Sequence, residues 1–106
     1  MTAEDKLQEL QLLEQNLQHL LMQKQAFQLE LSETTSALEE LQNAGEEIFK
    51  IIGQLMIKSD KKKIKEELEN KMKILNLRIK SFEKQEDSFS SQLDVLRGEI
   101  MKTREK

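Results

Sequence analysis

The chain has 106 residues, of which 35% are charged and 4% aromatic, and its formal net charge is −3. This length suits one domain but leaves little material for a conventional globular core, so a hydrophobic cluster must be long and thin. The acidic balance gives no overall attraction to nucleic acid or to an anionic membrane. The absence of cysteine excludes disulfides, thiolate metal sites and a cysteine nucleophile.

A heptad pattern begins the chain. Apolar residues recur at alternating steps of three and four, which predicts one helix over about residues 5–43 with a seam that pairs with another helix. Gly45 is expected to end this helix in a left-handed conformation. The seam positions are Leu10, Leu13, Leu17, Leu20, Lys24, Phe27, Leu31, Thr34, Leu38 and Leu41.

The segment IFKIIGQLMIK predicts a β-hairpin over about residues 46–58. Gly53 and Gln54 suit the central positions of a type II′ turn. A helical linker is the alternative, but the glycine and the isoleucine-rich run favour strands. The predicted register pairs Ile52 with Leu55, Ile51 with Met56, Lys50 with Ile57 and Phe49 with Lys58.

Such a hairpin would be apolar on both faces. A two-stranded ribbon is marginal alone and leaves two unpaired edges, so we expect an assembly element whose strands join those of other subunits in a shared sheet or barrel. The residues assigned to assembly are Ile48, Phe49, Ile51, Ile52, Gly53, Leu55, Met56 and Ile57.

A second heptad pattern follows and predicts a helix over about residues 60–104, with Ser59 or Asp60 as its N-cap. Its seam positions are Ile64, Leu68, Met72, Leu75, Ile79, Phe82, Glu86, Phe89, Leu93, Leu96 and Ile100.

When the chain folds back at the hairpin, the seam positions of the first predicted helix face those of the second, layer by layer. The predicted fold class is therefore mainly α, a long antiparallel two-helix coiled coil with a single β-hairpin between the helices. Lys24 and Glu86 interrupt neighbouring layers of the seam and are expected to lean together. We interpret them as polar positions that set the register, because nothing else supports a functional ion relay.

The run ALEELQNAGEEIFKIIGQLMIKSDKKKIKEELENK, between two heptad helices, resembles the β-type subunits of the prefoldin family in their archaeal-like form. In this family α-type subunits have two hairpins and β-type subunits one, and the short segment between the predicted helices has room for one. The family's hairpin carries an aromatic residue, a lysine, a glycine and an aliphatic-basic ending, matched here by Phe49, Lys50, Gly53, Met56, Ile57 and Lys58.

The resemblance covers the whole chain and implies a single prefoldin-like domain over residues 1–106. It further implies a hetero-hexamer of two α-type and four β-type subunits, in which a double β-barrel carries six coiled coils. The implied function is ATP-independent holding of unfolded proteins by the coiled-coil tips, followed by transfer to a group II chaperonin.

The residues themselves suggest how such tips could bind clients. Both distal helix ends carry apolar residues beyond those that the last seam layers need, and a frayed end would expose them. The alternative is ordinary seam residues plus scattered surface leucines, because Leu21, Met22, Leu29 and Leu77 are also off the seam but far from the end. The residues assigned to client binding are Leu7, Leu10, Leu12, Leu13, Val95, Leu96, Ile100 and Met101.

No chemistry-bearing motif is found. There is no glycine-rich phosphate loop or nucleophile with a base partner, so we expect no enzyme activity, cofactor or metal. His19 is interpreted as a solvated flank position. The basic run Lys61–Lys63 is interpreted as solvated or paired charge, since no aromatic residues are interleaved for nucleic acid.

A cytoplasmic location is expected, because neither a signal peptide nor an apolar run long enough to span a membrane is visible. Two rival functions remain beside the chaperone subunit. One is a structural coiled-coil adaptor that binds one specific folded partner, and the other is a helical arm that grips nucleic acid.

Overall fold

The computed structural model describes residues 2–105. Helix α1 spans Ala3–Asn43, strands β1 and β2 span Ile48–Ile52 and Leu55–Ser59, and helix α2 spans Lys61–Glu105. The predicted order of helix, single hairpin and helix is confirmed, although α1 begins two residues earlier than the seam indicates. Within residues 2–105 no helix combines the length and apolar content needed to cross a membrane.

The chain divides into two compact units. The helical unit contains the residues up to Ala26 together with those from Ile79 onward, and the hairpin unit contains residues 27–78. Each unit contains part of both helices. In the helical unit Glu14 pairs with Arg97 and Lys24 with Glu86, so α1 and α2 run in opposite directions there.

The predicted seams are the sheltered surface of the helices. Every seam position of α1 and α2 is buried or half-buried. This pattern follows from the heptad spacing, which keeps one stripe of each helix facing a neighbouring helix. The buried seam residues are Leu20, Ile79, Leu93, Leu96 and Ile100 in the helical unit and Thr34, Leu41 and Leu75 in the hairpin unit.

Polar seam residues are satisfied inside the structure. In the hairpin unit, the Thr34 hydroxyl donates to the carbonyl oxygen of Glu30 at 2.8 Å, which removes the penalty of burying a free hydroxyl. In the helical unit, Lys24 Nζ donates to Glu86 Oε2 at 2.9 Å, with 20% and 31% of the two side chains exposed. The predicted approach of Lys24 and Glu86 is confirmed.

The Lys24–Glu86 contact also changes the proton affinity of the lysine. The hydrogen bond to Glu86 raises the pKa of the Lys24 ammonium above its ordinary value, partial desolvation opposes this, and the Glu86 charge adds to the rise. The pair is therefore a specific charged contact across the seam.

The junctions between helices and hairpin differ in part from expectation. Gly45 does not adopt a left-handed conformation, because Gly53 is the only residue with positive φ in the part of the chain described. Instead the Ala44 N–H donates to the Leu41 carbonyl three residues earlier, and the Ala44 carbonyl accepts a hydrogen bond from Lys61 Nζ at 2.8 Å. This lysine supplies the partner that the end of α1 lacks.

Helix α2 begins as the sequence suggests. Asp60 Oδ1 accepts a hydrogen bond from the Lys62 N–H at 3.2 Å, and the Asp60 carbonyl accepts the first helical hydrogen bond, from Ile64. Of the two candidate caps, Asp60 is the one used.

We predict that Lys24→Leu lowers the urea midpoint of unfolding, because it leaves the Glu86 carboxylate partly sheltered without its cation. The double variant Lys24→Leu/Glu86→Leu should recover the wild-type midpoint or exceed it, since the seam then becomes apolar throughout. Circular dichroism during urea titration measures both. A double variant as unstable as the single one would contradict this account.

The pair should also leave a signature at alkaline pH. The pKa of Lys24 is higher in the folded chain than in the unfolded chain. The stabilisation of the fold by the Lys24–Glu86 pair is therefore complete below the pKa of the unfolded state, and it is lost as the pH rises through the pKa of the folded state. The double variant should lack this component of the alkaline loss of stability.

Candidate functional site

The hairpin forms with the predicted register. The two strands pair antiparallel, with Ile52 opposite Leu55, Ile51 opposite Met56, and the ladder continuing to Ile48 opposite Ser59. Gly53 has φ of 59° and Gln54 does not have positive φ, which is the pattern of a type II′ turn. The sequence prediction of this turn and of its register is confirmed.

The hairpin is the most exposed apolar part of the hairpin unit. Ile51 is 70% exposed, and only Ile48 of the residues assigned to assembly is half-buried. The strands form a two-stranded sheet, so the outer edge of each has no neighbouring strand within residues 2–105. The exposed members of the assigned set are Phe49, Ile51, Ile52, Gly53, Leu55, Met56 and Ile57.

One face of the hairpin borders an open groove of about 600 Å³ in the hairpin unit. Phe49, Ile51 and Met56 line it from the strands, while Leu41 and Leu68 line it from the helices. The exposure of the three strand residues means that the helices cover this face only in part.

The other face of the hairpin combines apolar and charged side chains. Ile52, Leu55 and Ile57 project from it, together with Lys50, because alternate residues of a strand share a face. Lys50 Nζ lies 3.1 Å from Glu67 Oε2 of α2. Both side chains are well exposed, so this ion pair contributes little to stability.

The residues assigned to client binding fall into three groups. Leu7, Leu12, Val95 and Met101 are exposed. Leu10 and Leu13 are half-buried, and Leu96 and Ile100 are buried in the seam. Four of the eight residues are therefore available on the surface, while Leu96 and Ile100 are at most 9% exposed and offer little contact area unless the helix ends separate.

The start of α1 carries a cap that the sequence analysis overlooked. Asp5 N–H donates to the Thr2 hydroxyl and Thr2 N–H donates to Asp5 Oδ2, each at 3.1 Å. The hydrogen bond from the Thr2 N–H, and after it the interaction with the Thr2 hydroxyl, lower the pKa of the Asp5 carboxyl. The spacing Thr-x-x-Asp in the sequence could have predicted this cap, because it is a variant of the capping box.

Two ion pairs join the helices in the same region. Glu14 Oε1 lies 3.2 Å from Arg97 and Glu99 Oε2 lies 3.8 Å from Lys6. Such exposed pairs are individually weak and are screened by salt. They position the helix ends without preventing local opening.

Exposure alone does not distinguish the helix ends from the rest of the surface. Met22, Leu29, Ile74 and Leu77 are between 59% and 67% exposed and lie elsewhere along the helices. Ile74 was missing from the off-seam residues noted in the sequence, while Leu21 is half-buried rather than exposed. These residues offer a natural control for experiments on the helix ends.

Metal-ligating side chains do not cluster in the part of the chain described. Among the side chains of residues 2–103, no group of three or more His, Asp or Glu could hold a metal ion. His19 is exposed and lies 3.4 Å from the Gln23 side chain. Paired helices whose seams are occupied, joined by an exposed apolar hairpin, define a class of coiled-coil protein that acts through contacts with other chains.

Comparison with known proteins places the chain within that class. The sequence profile of the prefoldin subunit family matches residues 4–106. The prefoldin subunit beta of Saccharolobus islandicus is 39% identical over 92 residues, covering 85% of this chain and 73% of that protein. The corresponding subunit of Thermococcus onnurineus is 40% identical over 89 residues, covering 82% and 77%.

A solved structure agrees with these sequence matches. The crystal structure of the prefoldin beta subunit from Thermococcus strain KS-1 superimposes with a TM-score of 0.88 at 32% identity, covering 95% of this chain and 90% of that one. The chain belongs to the prefoldin family, and its relatives are β-type subunits. It is a non-enzymatic chaperone component that binds unfolded proteins and assembles with other prefoldin subunits.

The hairpin geometry yields a prediction about two glycines. Neither Gly53 nor Gly98 has a neighbouring atom that an added methyl group would meet, but only Gly53 has positive φ. Gly53→Ala should therefore destabilise the turn by about 1–2 kcal/mol, whereas Gly98→Ala should stabilise α2 by about 0.5–1 kcal/mol.

Urea unfolding followed by circular dichroism measures the helical effect, and the mass of the assembled complex reports on the hairpin. Equal behaviour of the two alanine variants in both measurements would mean that the turn does not depend on the conformation of Gly53.

Proposed function

We propose that the hairpin of this chain joins the hairpins of neighbouring subunits in a β-barrel platform, within a hexamer of two α-type and four β-type subunits. The coiled-coil ends then hold unfolded proteins without ATP and release them to a group II chaperonin in the cytoplasm. The observation that carries the proposal is the exposure of an apolar hairpin with two open edges.

The energetics favour covering the hairpin with other subunits. Fully burying one large aliphatic side chain contributes about 1.5–3 kcal/mol before ordering costs are subtracted. Ile51, Leu55 and Met56 are 66–70% exposed, so most of this contribution is still available to the free chain. Several such residues in one hairpin supply enough free energy for stable association.

The strand edges favour a closed sheet over simple face-to-face packing. An exposed edge presents unpaired N–H and C=O groups, and closure into a barrel is the arrangement that removes edges altogether. Strands from several subunits would satisfy both the edges and the faces. This is the reason for proposing a barrel rather than a dimer of helices.

Client holding is proposed for the surface residues of the helix ends. Leu7, Leu12, Val95 and Met101 offer aliphatic and thioether side chains that adapt to partners of different shape. Contacts of this kind are weak singly, and several ends bound to one client would give avidity. Reversible apolar contacts need no nucleotide, and transfer to a group II chaperonin rests on the resemblance to prefoldin β-type subunits.

Ile51→Asp tests the hairpin. A carboxylate in a shared apolar sheet should prevent assembly with an α-type prefoldin subunit, because an unpaired charge would be buried there. The helicity of the chain should remain, since Ile51 is outside both seams. Native mass spectrometry gives the mass of the complex and circular dichroism gives the helicity.

Leu77→Asp is the matched control, because Leu77 is 67% exposed but lies in α2. It should assemble normally. A complex of normal mass formed by Ile51→Asp would refute the shared sheet.

A quadruple serine variant tests the helix ends. Replacing Leu7, Leu12, Val95 and Met101 should preserve assembly but raise the aggregation of a denatured test protein diluted into buffer with the complex. The expected loss of suppression is several-fold, because four exposed apolar contacts are removed from each copy. Light scattering without ATP measures it.

The matched control replaces Met22, Leu29, Ile74 and Leu77 with serine, since these residues are 59–67% exposed, against 40–64% for the four at the helix ends, but lie elsewhere. This control should retain suppression. Equal loss in both quadruple variants would show that clients bind along the helices in general.

A further inference from the structure

The two sides of the helix ends differ in chemistry. On one side, a groove of about 450 Å³ runs between α1 and α2 in the helical unit. Its floor contains Leu13, Val95 and Leu96, and carboxylates border it on both helices, from Glu9 on α1 and Glu99 on α2. We call this the acidic-edged groove.

The opposite side also has seam leucines, Leu17 and Leu93, but its edges are polar and its charges are paired. Gln11, Gln15 and Gln18 line it, and the ion pair between Glu14 and Arg97 spans it at 3.2 Å. The charges on that side already satisfy each other. A client segment that meets the helix ends therefore encounters apolar surface with available negative charge on one side only.

One carboxylate of the acidic-edged groove is unpaired and the other is partly paired. Among the side chains of residues 2–103, Glu9 has no ion pair, whereas Glu99 lies 3.8 Å from Lys6 and has Lys102 nearby. Leu12 follows Glu9 by three residues, so both lie along one strip of α1 and extend the apolar surface beside the charge. Leu12 and Val95 are 58% and 64% exposed.

We propose that the acidic-edged groove is the client-binding site of the helix ends and that it selects unfolded segments in which an aliphatic residue lies next to lysine or arginine. The aliphatic side chain contacts Val95 and Leu13. The cationic side chain lays its methylene stem along the apolar floor and brings its charged group to Glu9 or Glu99. This inference rests on the proposed holding of clients at the helix ends.

The carboxylates at the groove edges determine which charge is preferred in a bound segment. A segment with aspartate or glutamate beside its aliphatic residue would bring like charges to the groove edges and bind more weakly. A segment with neutral polar neighbours would bind with intermediate affinity, through the apolar floor alone. The difference should shrink as salt is added, because the carboxylates are exposed to solvent.

Fluorescence anisotropy with the complete hexamer tests the preference. The probes are three labelled peptides of one length that share the same leucines and carry lysine, serine or glutamate between them. The lysine peptide should bind most tightly and the glutamate peptide least. In Glu9→Gln/Glu99→Gln, affinity for the lysine peptide should fall by about two- to five-fold per carboxylate while that for the serine peptide stays constant.

Glu83→Gln/Asp94→Asn is the control, because it removes the same charge from the helical unit at two carboxylates that neither line the groove nor form an ion pair among the described side chains. It should keep the preference for lysine. Equal affinities of the three peptides, or the same loss in both double variants, would overturn the proposal. So would failure of the lysine peptide to bind a complex that still suppresses aggregation.

These outcomes are distinguishable from failure of the proposed function. The quadruple serine variant of the helix ends tests whether clients bind there at all. If that variant loses suppression while the peptides show no charge preference, the helix ends hold clients and only the selectivity is wrong.

Discussion

The occupied seam is the constraint on which the rest of this structure depends. Each helix has one main apolar stripe, and every seam position in both units is already sheltered. The helices cover the hairpin only in part, at the groove that Leu41 and Leu68 line. The hairpin consequently retains exposed isoleucines and two open edges. In the proposed assembly the chain therefore separates two tasks, since the seam stabilises the subunit and the hairpin is left for neighbouring subunits.

The same constraint explains why the helix ends suit reversible binding. Leu12 and Val95 lie off the seam, so they contribute little to the packing of the helices and can contact a client without unfolding the subunit. Leu96 and Ile100 are buried in the seam, so most of their surface becomes accessible only if the last turns separate. Capping of α1 by Thr2 and Asp5 stabilises the closed form of that end. Adaptable surface contacts, rather than an open core, are therefore the simpler basis for holding many clients.

Local spacing predicted most of the fold. The heptad steps identified the seam positions, all of which are sheltered. The single glycine in an isoleucine-rich run predicted the turn and the strand register. The two polar residues in neighbouring seam layers predicted the contact between Lys24 and Glu86. The prediction of a left-handed Gly45 was wrong. Lys61 of α2 supplies a hydrogen-bond partner at the end of α1, and local sequence rules do not detect a contact between residues distant in the sequence. The acidic-edged groove was missed for the same reason, as its two carboxylates belong to different helices. Which exposed leucines bind clients is likewise undetermined by periodicity, since Met22 and Leu29 are as exposed as the residues at the ends.

Hydrogen exchange of the hairpin amides, compared between the isolated chain and its complex with an α-type prefoldin subunit, tests the central claim most directly. An isolated two-stranded ribbon opens readily, and its edge amides face solvent. The account predicts rapid exchange over residues 48–59 in the isolated chain and strong protection of the same residues in the complex, with little change over residues 5–15. Hairpin protection that is already strong in the isolated chain, or unchanged by assembly, would contradict the role of the hairpin as the assembly element.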